Sequence, residues 1–506
     1  TVSGKAYTIY VDGTTSEHSC INVTASGVTL NIKALDINNG ATIERAFTGY
    51  ENDEASGSGK NCIFFINTKL TIENITLNGN KGTSGYYSAH KGGGIRVEGG
   101  ELELIKCKIL NCNASEYGGA IWGNNNKSIT LSGCTIQGCS SVTYGGALCA
   151  NGVLTIKDST VIGDADKVSA ATSTSACSNY SGSGGGICVG NTGTLSISSD
   201  SYVAYNYASA SGGGIYYISS AASDSISGKI QYNGAVTSGG GLYFAGTNST
   251  SSLISGTICG NKATSGGGIA VLGGSLTFAS GYIKGNTASG GDYGSGVIIN
   301  GGGIFNMTGS SCYITENVAE KWCAGVRIIT GTFNMSAGEI SSNITNHASE
   351  CGAVTMNSEA GSCNFIFTGG TIKDNEDLSS GSLSTAAQGI RRNSCTSGIF
   401  SMSGSATVTG KNYIYLGAGS TDKIIVADSL SGTATITPVS YATTTQVITE
   451  TGSNGYVKAY CSKFSINNKD GVAWYVNIDG KIQKRLAPSV SSLDNLQKAI
   501  DEELTE

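Results

Sequence analysis

The sequence predicts an all-β protein that folds as a right-handed parallel β-helix, a solenoid with coils of about 27 residues and three strands per coil. Three observations carry this prediction: a glycine-rich phrase that returns at a regular spacing, short β-prone runs between its copies, and a near absence of proline. Glycine accounts for 75 of the 506 residues and proline for 2. A small β cap is expected to follow the repeats.

The recurring phrase is GGG or GGA followed by an aliphatic residue, which we call the anchor. More degenerate copies continue the series as GSGV, CAGV, CGAV and AQGI. Eight of the ten steps between anchors are 26 to 29 residues long, and the other two are 39 and 36 residues. A fixed period in this range is typical of a solenoid. The anchors are Ile95, Ile121, Leu148, Ile187, Ile215, Leu242, Ile269, Val297, Val326, Val354 and Ile390.

One copy shows what a coil contains. From Gly266 the chain reads GGGIAV, GSLTF and GYIKGN, which are three β-prone runs separated by glycine, serine and asparagine. Strands that stack on their counterparts in the next coil need all their backbone N–H groups, and both prolines, Pro438 and Pro488, lie beyond the repeats. The right hand follows from the general preference of parallel crossover connections.

A second motif accompanies the first, because an asparagine preceded by an aliphatic residue stands about eight to eleven residues before most anchors. Stacked on successive coils, such side chains can hydrogen-bond amide to amide along the axis. We therefore predict a structural asparagine ladder. Its predicted members are Asn113, Asn206, Asn233, Asn261, Asn286, Asn317 and Asn343.

The alternation of the GGA(I/L/V) phrase with the aliphatic-x-x-Asn phrase resembles the repeats of chlamydial polymorphic outer-membrane proteins. It is also similar to adhesin-like repeat proteins of spirochaetes and other host-associated microbes. The resemblance covers roughly residues 60 to 410 and implies a secreted or surface-exposed β-helix, often an adhesin. At its C-terminus the sequence departs from the polymorphic proteins, since it shows no counterpart of their translocator barrel.

The repeat pattern divides the chain into four predicted segments. Residues 1–50 read as irregular N-terminal capping coils, 51–410 as the β-helix repeats, and 411–485 as the C-terminal β cap. In residues 486–506 apolar side chains recur on one helical face, which predicts an amphipathic helical tail that folds back on the protein or docks on a partner.

The spacing of the cysteines places several of them at equivalent positions on adjacent coils. Equivalent positions on neighbouring strands lie about 4.8 Å apart, within the Cα range of disulfides, so coil-to-coil disulfides are one interpretation and buried reduced thiols are the other. The sequence has no close pair of CxxC motifs, so no zinc site is predicted. The candidate pairs are Cys107 with Cys134, Cys112 with Cys139, Cys149 with Cys188, and Cys323 with Cys351.

Alternation along the anchor strand predicts two rows of side chains. The residue two places after each anchor should point inward, and the residue directly after it should point outward. Three outward aromatic residues, Trp122, Tyr216 and Tyr243, form a candidate binding surface for sugar rings or for a protein partner. Coverage of this row by the insertion at 158–183 is the alternative. The predicted inward row is Val97, Val189, Tyr217, Phe244, Val271, Ile299 and Ile328.

Composition and charge limit the function classes. A net charge of −6 offers no basic footprint for nucleic acid, and no run of about 18 apolar residues predicts a membrane span. The acidic residues of the repeats fall at different repeat positions and the three histidines are far apart, so no catalytic constellation or cofactor site is predicted. Arg391 and Arg392 could neutralise a uronic acid, with an ordinary surface role as the alternative.

These observations lead to a functional hypothesis with two alternatives. We expect an extracellular or cell-surface, non-catalytic, adhesin-like protein that binds host glycans or a host surface protein. The first alternative is a structural subunit of a surface sheath, layer or filament, in which the partner is a further copy of the chain. A polysaccharide lyase or glycosidase is the second.

Overall fold

The computed structural model describes most of the chain and divides it into two compact units, residues 1–298 and 299–506. The residues described are 8–12, 21–23, 29–34, 41–46, 62–79, 89–221, 224–247, 252–290, 294–347, 351–357, 361–379, 382–383, 387–393 and 395–485. Both units consist almost entirely of short parallel strands that stack coil on coil, so the predicted parallel β-helix is confirmed. The right hand of the coils stays a prediction.

A complete coil carries four strands, one more than the sequence predicted. In the coil that begins at Ile121 they are Ile121–Asn124, Ser128–Ser132, Thr135–Gln137 and Ser140–Ser141. We call the stacks that they form the anchor, second, third and fourth sheets. The fourth strand is often only two residues long, and a run of that length carries no periodicity that a sequence pattern could reveal.

In the first unit the four sheets are continuous over most coils. The anchor sheet contains Ile21–Val23, Phe64–Ile66, Ile95–Glu98, Ile121–Asn124, Leu148–Ala150, Ile187–Val189, Ile215–Tyr217, Leu242–Ala245 and Ile269–Gly273. The second sheet contains Thr29–Lys33, Lys69–Glu73, Glu101–Ile105, Ser128–Ser132, Val153–Lys157, Thr194–Ile197, Ser225–Ile226, Ser252–Ile254 and Ser275–Phe278. The third contains Thr8–Asp12, Ala41–Ala46, Ile75–Asn78, Lys108–Leu110, Thr135–Gln137, Val161–Gly163, Tyr202–Ala204, Lys229–Gln231, Thr257–Cys259 and Gly281–Lys284. The fourth contains Ala89–Lys91, Asn113–Tyr117, Ser140–Ser141, Tyr180–Ser181, Tyr207–Ala208, Gly234–Ala235, Lys262–Ala263 and Thr287–Ala288.

The second unit repeats this plan and then changes it. Its anchor sheet contains Val326–Ile328, Cys351–Met356, Ala387–Arg392, Asn412–Leu416, Ala434–Pro438, Phe464–Ile466, Trp474–Val476 and Ile482–Lys484, and the strand Val297–Ile299 spans the boundary between the units. The second sheet contains Gly303–Met307, Gly331–Met335, Cys363–Phe367, Phe400–Gly404, Ile424–Leu430 and Ile448–Glu450. The third contains Cys312–Thr315, Glu339–Ser341, Thr371–Lys373 and Thr407–Thr409, and the fourth contains Val318–Ala319, Ile344–Thr345, Glu376–Ser379 and Ser382–Leu383. One short α-helix, Tyr456–Tyr460, is followed by a 3₁₀ turn at Cys461–Lys463.

The pairing of strands changes character towards the end of the second unit. Parallel pairing on the anchor sheet continues through Phe464–Ile466, and the last two strands, Trp474–Val476 and Ile482–Lys484, pair antiparallel. The boundary predicted at residue 410 stays a prediction, and parallel stacking runs on beyond it. The predicted helical tail, 486–506, lies outside the described residues, as does most of the predicted N-terminal cap.

The core is built by the alternation that the sequence predicted. Every anchor is fully buried, and all seven residues of the predicted inward row are at most 3% exposed. Register is strict where the anchors stack, for example Ile121 opposite Leu148 and Ile187 opposite Ile215. Since each coil places an aliphatic side chain at the same inward position, neighbouring coils bury one another's apolar surface.

The glycines of the anchor phrase have separate roles. The first adopts a left-handed conformation, with φ of 69° at Gly212. The second lies so close to its neighbours that a Cβ on Gly213 would stand 2.3 Å from the Gly234 carbonyl oxygen and 2.5 Å from that of Gly240. The third tolerates a methyl group, as Ala120 shows. The phrase GG(G/A) therefore reflects a backbone that needs a left-handed turn at its first residue and a close approach to neighbouring backbone at its second.

An asparagine ladder lies inside each unit at the corner between the third and fourth sheets. Asn233 is representative: its Nδ2 donates to Asn261 Oδ1 at 3.0 Å and to the Val203 carbonyl oxygen at 2.9 Å, and its Oδ1 accepts from the backbone and side-chain N–H groups of Asn206 at 3.0 Å. Each buried amide thus satisfies its neighbours in the adjacent coils. The members are Asn179, Asn206, Asn233, Asn261 and Asn286 in the first unit and Asn317, Asn343, Asn375 and Asn412 in the second.

Asn113 is not at the ladder position. Its Oδ1 accepts a hydrogen bond from Ser140 Oγ at 2.7 Å, and the corner is occupied by Cys112, which lies three residues after the inward Ile109. The backbone N–H of Cys112 donates to Cys139 Sγ at 3.4 Å, and that of Cys139 donates to Asn179 Oδ1 at 2.9 Å. The prediction was displaced by one residue because Leu110 imitates the aliphatic residue of the motif.

Candidate functional site

The outward row of the anchor sheet is the predicted binding surface, and the structure covers part of it. Trp122 is 5% exposed, and with Cys149 and Cys188 it forms a buried cluster on the outer side of the sheet. Tyr216 and Tyr243 are half-buried. The structure therefore places the three predicted residues on one sheet face, but it leaves only the two tyrosines with substantial exposed area.

Two tyrosines that the sequence analysis missed cover the cluster. Tyr117 and Tyr144 each stand directly before the glycines of an anchor phrase, and both pack against the Trp122 cluster. Their rings stack on each other with centroids 5.7 Å apart, and Tyr144 in turn stacks on Tyr216 at 5.6 Å. The shared sequence YGGA, present in both coils, is the signal that could have revealed them.

The result is a continuous stack that we call the tyrosine ladder, formed by Tyr117, Tyr144, Tyr216 and Tyr243. The last two rings lie 4.8 Å apart with an interplanar angle of 19°. The ladder changes position between coils: the coil after Tyr144 carries the small Ser183 at the equivalent place, which pairs with Tyr144 in the backbone. Tyr216 from the next coil then supplies the following ring.

Burial changes the acidity of these phenols. It raises the pKa of Tyr216 from 10.0 to about 12, with the neighbouring Tyr243 and Tyr144 adding to the shift. It also raises the pKa of Tyr117 and of Tyr243. These three phenols are therefore harder to ionise than a tyrosine in water.

Cations border one end of the ladder. Lys91 Nζ lies 5.1 Å from the ring centroids of both Tyr117 and Trp122, and the guanidinium carbon of Arg96 lies 5.1 Å from the Trp122 ring. Cation–π contacts of this kind help to hold the Trp122 indole in its buried position. Trp122 is thus buried by charged and aromatic neighbours.

A groove of about 370 Å³ opens beside the ladder. Its lining includes Tyr117 and Tyr144 and one asparagine from each of three successive coils, at or just after the end of the anchor strand. Its volume is at the lower end of the range of roughly 300–1,000 Å³ that small-molecule sites occupy. The lining residues are Lys91, Tyr117, Trp122, Asn124, Tyr144, Cys149, Asn151, Cys188, Gly190, Asn191 and Ile218.

The insertion that the sequence placed at 158–183 leaves this groove open. Its hydrogen bonds lead to the third sheet and its following corner: Ala171 N–H donates to the Tyr232 carbonyl, and Ser178 N–H donates to the Tyr205 carbonyl. Lys167 lies 5.5 Å from the Tyr205 ring centroid. The row is therefore covered by the tyrosines and not by the insertion.

The carboxylates nearest the groove are engaged in ion pairs. Glu98 pairs with Arg96. Glu116 lies 3.5 Å from Lys91 Nζ and 3.3 Å from His90 Nε2. Within the described ranges no group of three or more His, Cys, Asp or Glu side chains is arranged to hold a metal ion.

The four predicted cysteine pairs all lie on adjacent coils, and all eight side chains are buried as thiols. Cys149 stands opposite Cys188 in register, and a hydrogen bond between the two thiols, followed by burial, raises the pKa of Cys188. The other thiols reach backbone carbonyls, such as Cys107 Sγ to Ile72 at 3.3 Å and Cys323 Sγ to Ala353 at 3.1 Å. Their oxidation to disulfides stays a prediction.

Of the adjacent arginines, Arg392 is fully buried in the second unit, contrary to the surface role considered from the sequence. Its Nε donates to the Thr421 carbonyl at 2.8 Å, and its Nη2 donates to the Gly398 carbonyl at 2.9 Å. Asp422, also buried, lies 3.7 Å from Nε. Arg392 cannot neutralise a uronic acid from this position.

No protein-family model, no curated protein and no solved structure matches the chain. Among the described residues no helix combines the length and apolar character needed to cross a membrane.

Proposed function

We propose that this chain is a secreted or cell-surface, non-catalytic, adhesin-like protein that binds a glycan in the groove of its first unit. The observation that carries the proposal is the groove itself, whose lining combines the tyrosines Tyr117 and Tyr144 with three asparagine side chains. The resemblance of the repeats to those of microbial adhesins supports the same class.

A glycan suits this groove because a sugar has both apolar and hydroxyl surface, and the lining has both aromatic and amide side chains. Because Tyr144 stacks on both Tyr117 and Tyr216, the apolar C–H groups of a sugar would pack against the parts of the half-buried Tyr117 and Tyr144 rings that the ladder leaves exposed. Sugar hydroxyls both donate and accept hydrogen bonds, and an asparagine amide offers two donors and a carbonyl acceptor. Asn124, Asn151 and Asn191 supply such amides at the spacing of successive coils.

Binding without reaction is favoured by the state of the acidic groups. Most glycosidases place two carboxyl groups about 5–10 Å apart across the bond that they cleave. Glu98 and Glu116, the carboxylates beside the groove, are instead paired with Arg96, Lys91 and His90. The two carboxylates beside the groove thus serve contacts with neighbouring basic side chains.

The test is a glycan-array screen with the full chain, followed by affinity measurements on the best ligand. Tyr144→Ala removes one of the two tyrosine rings that line the groove and should weaken binding about tenfold, or about 1.4 kcal/mol. Asn191→Ala changes an exposed asparagine side chain in the groove lining and should weaken binding several-fold while leaving the fold intact. Tyr282→Ala, which removes an exposed tyrosine from the third sheet, is the matched control and should bind like the wild type.

The outcomes separate the alternatives. Binding that survives both groove substitutions would place the ligand elsewhere on the protein. A wild-type chain that binds no glycan on the array and releases new reducing ends or unsaturated products from uronate polymers would overturn the non-catalytic proposal.

A further inference from the structure

A cysteine pair in the second unit differs from the four pairs that the sequence suggested. Cys363 begins the second-sheet strand Cys363–Phe367, and Cys395 lies in the connection that leads to the next strand of that sheet, Phe400–Gly404. The two Sγ atoms are 2.6 Å apart, although the residues are 32 positions apart in sequence. Both side chains are buried, with exposures of 0% and 4%.

The close approach is possible because the two residues are not in strand register. Side chains at equivalent positions of neighbouring parallel strands point the same way, so their Cβ atoms are separated by about the 4.8 Å strand spacing. A disulfide prefers a Cβ separation of about 3.5–4.5 Å. Pairing in this part of the sheet sets Ser362 opposite Ser397, and Cys395 precedes that position on a connection that can bring its thiol towards Cys363.

The in-register pair Cys323 and Cys351 shows the contrast within the same unit. Cys323 Sγ lies 3.2 Å from the Val326 carbonyl oxygen, and Cys351 Sγ lies 2.9 Å from that of Gly389. Both thiols therefore have backbone acceptors at hydrogen-bonding distance. Cys363 Sγ lies 3.8 Å from the Ser397 carbonyl oxygen, and Cys395 Sγ is closer, at 2.6 Å.

The surroundings of the pair favour a thiolate on Cys363. A hydrogen bond from the Cys395 thiol lowers the pKa of Cys363, and the positive charge of buried Arg392 lowers it further. Arg392 is held in place by the Thr421 and Gly398 carbonyls, and Thr421 Oγ1 also donates to the Cys395 carbonyl at 2.6 Å. The same contacts fix the connection that carries Cys395.

We propose that Cys363 and Cys395 form an intrachain disulfide that fastens the connection at 395–399 to the preceding coil of the second unit. The oxidant is a small-molecule disulfide such as oxidised glutathione. The Cys363 thiolate attacks one of its sulfur atoms and releases one glutathione thiolate. The Cys395 thiolate then attacks Cys363 Sγ in the mixed disulfide and releases the second. The protein loses two protons and two electrons, and the oxidised glutathione becomes two reduced molecules.

The experiment uses the full chain, unfolded with reductant and refolded in a glutathione redox buffer, so that burial does not limit access of the oxidant. Free thiols are then alkylated, and peptides are mapped by mass spectrometry without reduction. We expect a Cys363–Cys395 linked peptide, with Cys323 and Cys351 alkylated as the matched in-register control. Reduction of the link should lower the thermal midpoint by on the order of 10 °C.

Single substitutions complete the test. In Cys363→Ser, Cys395 should be alkylated, and in Cys395→Ser, Cys363 should be alkylated, while circular dichroism verifies that both variants fold. Alkylation of both residues in the refolded wild-type chain would overturn the proposal. So would a link from either residue to a different cysteine.

Discussion

Each unit contains a stack of four aromatic rings, and the two stacks differ in their burial. In the first unit Tyr117, Tyr144, Tyr216 and Tyr243 stack outside the coils and are half-buried. In the second unit Phe305, Phe333, Phe365 and Phe400 stack inside and are fully buried. Centroid separations span 4.8–5.7 Å in the first stack and 4.9–5.7 Å in the second.

The difference between the stacks shows that packing constrains the inner surface of a solenoid more strongly than its outer surface. The phenylalanines keep strict register, with Phe305 opposite Phe333 and Phe365 opposite Phe400, because an inward position must fill the same space in every coil. The tyrosine ladder changes from the position before the glycines to the position after the anchor. An outward position is free of that packing constraint, so its residues can vary from coil to coil.

The largest expected effect comes from breaking the inner stack. Phe333→Ala should lower the free energy of unfolding by about 4 kcal/mol, because it leaves a cavity between two stacked rings. Tyr144→Ala, the corresponding change in the outer stack, should cost about 1 kcal/mol. Chemical denaturation followed by circular dichroism measures both. Equal costs for the two variants would contradict the division into an inner and an outer stack.

A somewhat smaller effect is expected from breaking the asparagine ladder, whose members are joined by hydrogen bonds. Asn233→Ala should cost about 3 kcal/mol, because it removes the buried side-chain hydrogen bonds that Asn233 makes with Asn206, Asn261 and the Val203 carbonyl oxygen. Asn113→Ala is the control, since Asn113 lies outside the ladder, and it should cost less than about 1 kcal/mol. The same denaturation experiment compares them, and a ladder variant as stable as its control would refute the role of the ladder.

The smallest expected effect concerns the pH dependence of the outer stack. Because the pKa of Tyr216 is raised from 10.0 to about 12 in the folded protein, its contribution to stability is complete below pH 10 and is lost as the pH rises through 12. The ring is half-exposed and water screens the effect, so we expect a loss of less than about 1 kcal/mol. Unfolding free energies measured at about pH 9 and about pH 11.5 should show that Tyr216→Phe removes this loss. A Tyr216→Phe variant that loses as much stability as the wild type over this range would contradict the assignment.

The inner surface was largely predictable from sequence, and its exceptions have physical causes. Asn179 was missed because the insertion at 158–183 separates it from the aliphatic residue that precedes the motif in other coils. Asn375 has that residue, Ile372, but stands 15 positions before its anchor, Ile390, outside the expected spacing. At the corner in the coil of Ile109, a cysteine replaces the amide, which no search for asparagine could find.

The outer surface was only partly predictable. Alternation identified Trp122, Tyr216 and Tyr243 as neighbours on one face, yet it could not show that Tyr117 and Tyr144 reach over that face from the end of the preceding strand. Likewise, the Cys363–Cys395 contact depends on the path of a connection, and spacing rules for equivalent coil positions do not describe such a path.

The sequence by itself determined the coil length, the inward faces of the strands, and most of the corner asparagines, because each depends on a local period that repeats along the chain. Only the tertiary structure decided that Trp122 is covered, that a groove remains beside Tyr144, and that Arg392 is buried near two cysteines. These features depend on side chains from different coils and connections that meet outside the repeat pattern, and their meeting is set by packing in three dimensions.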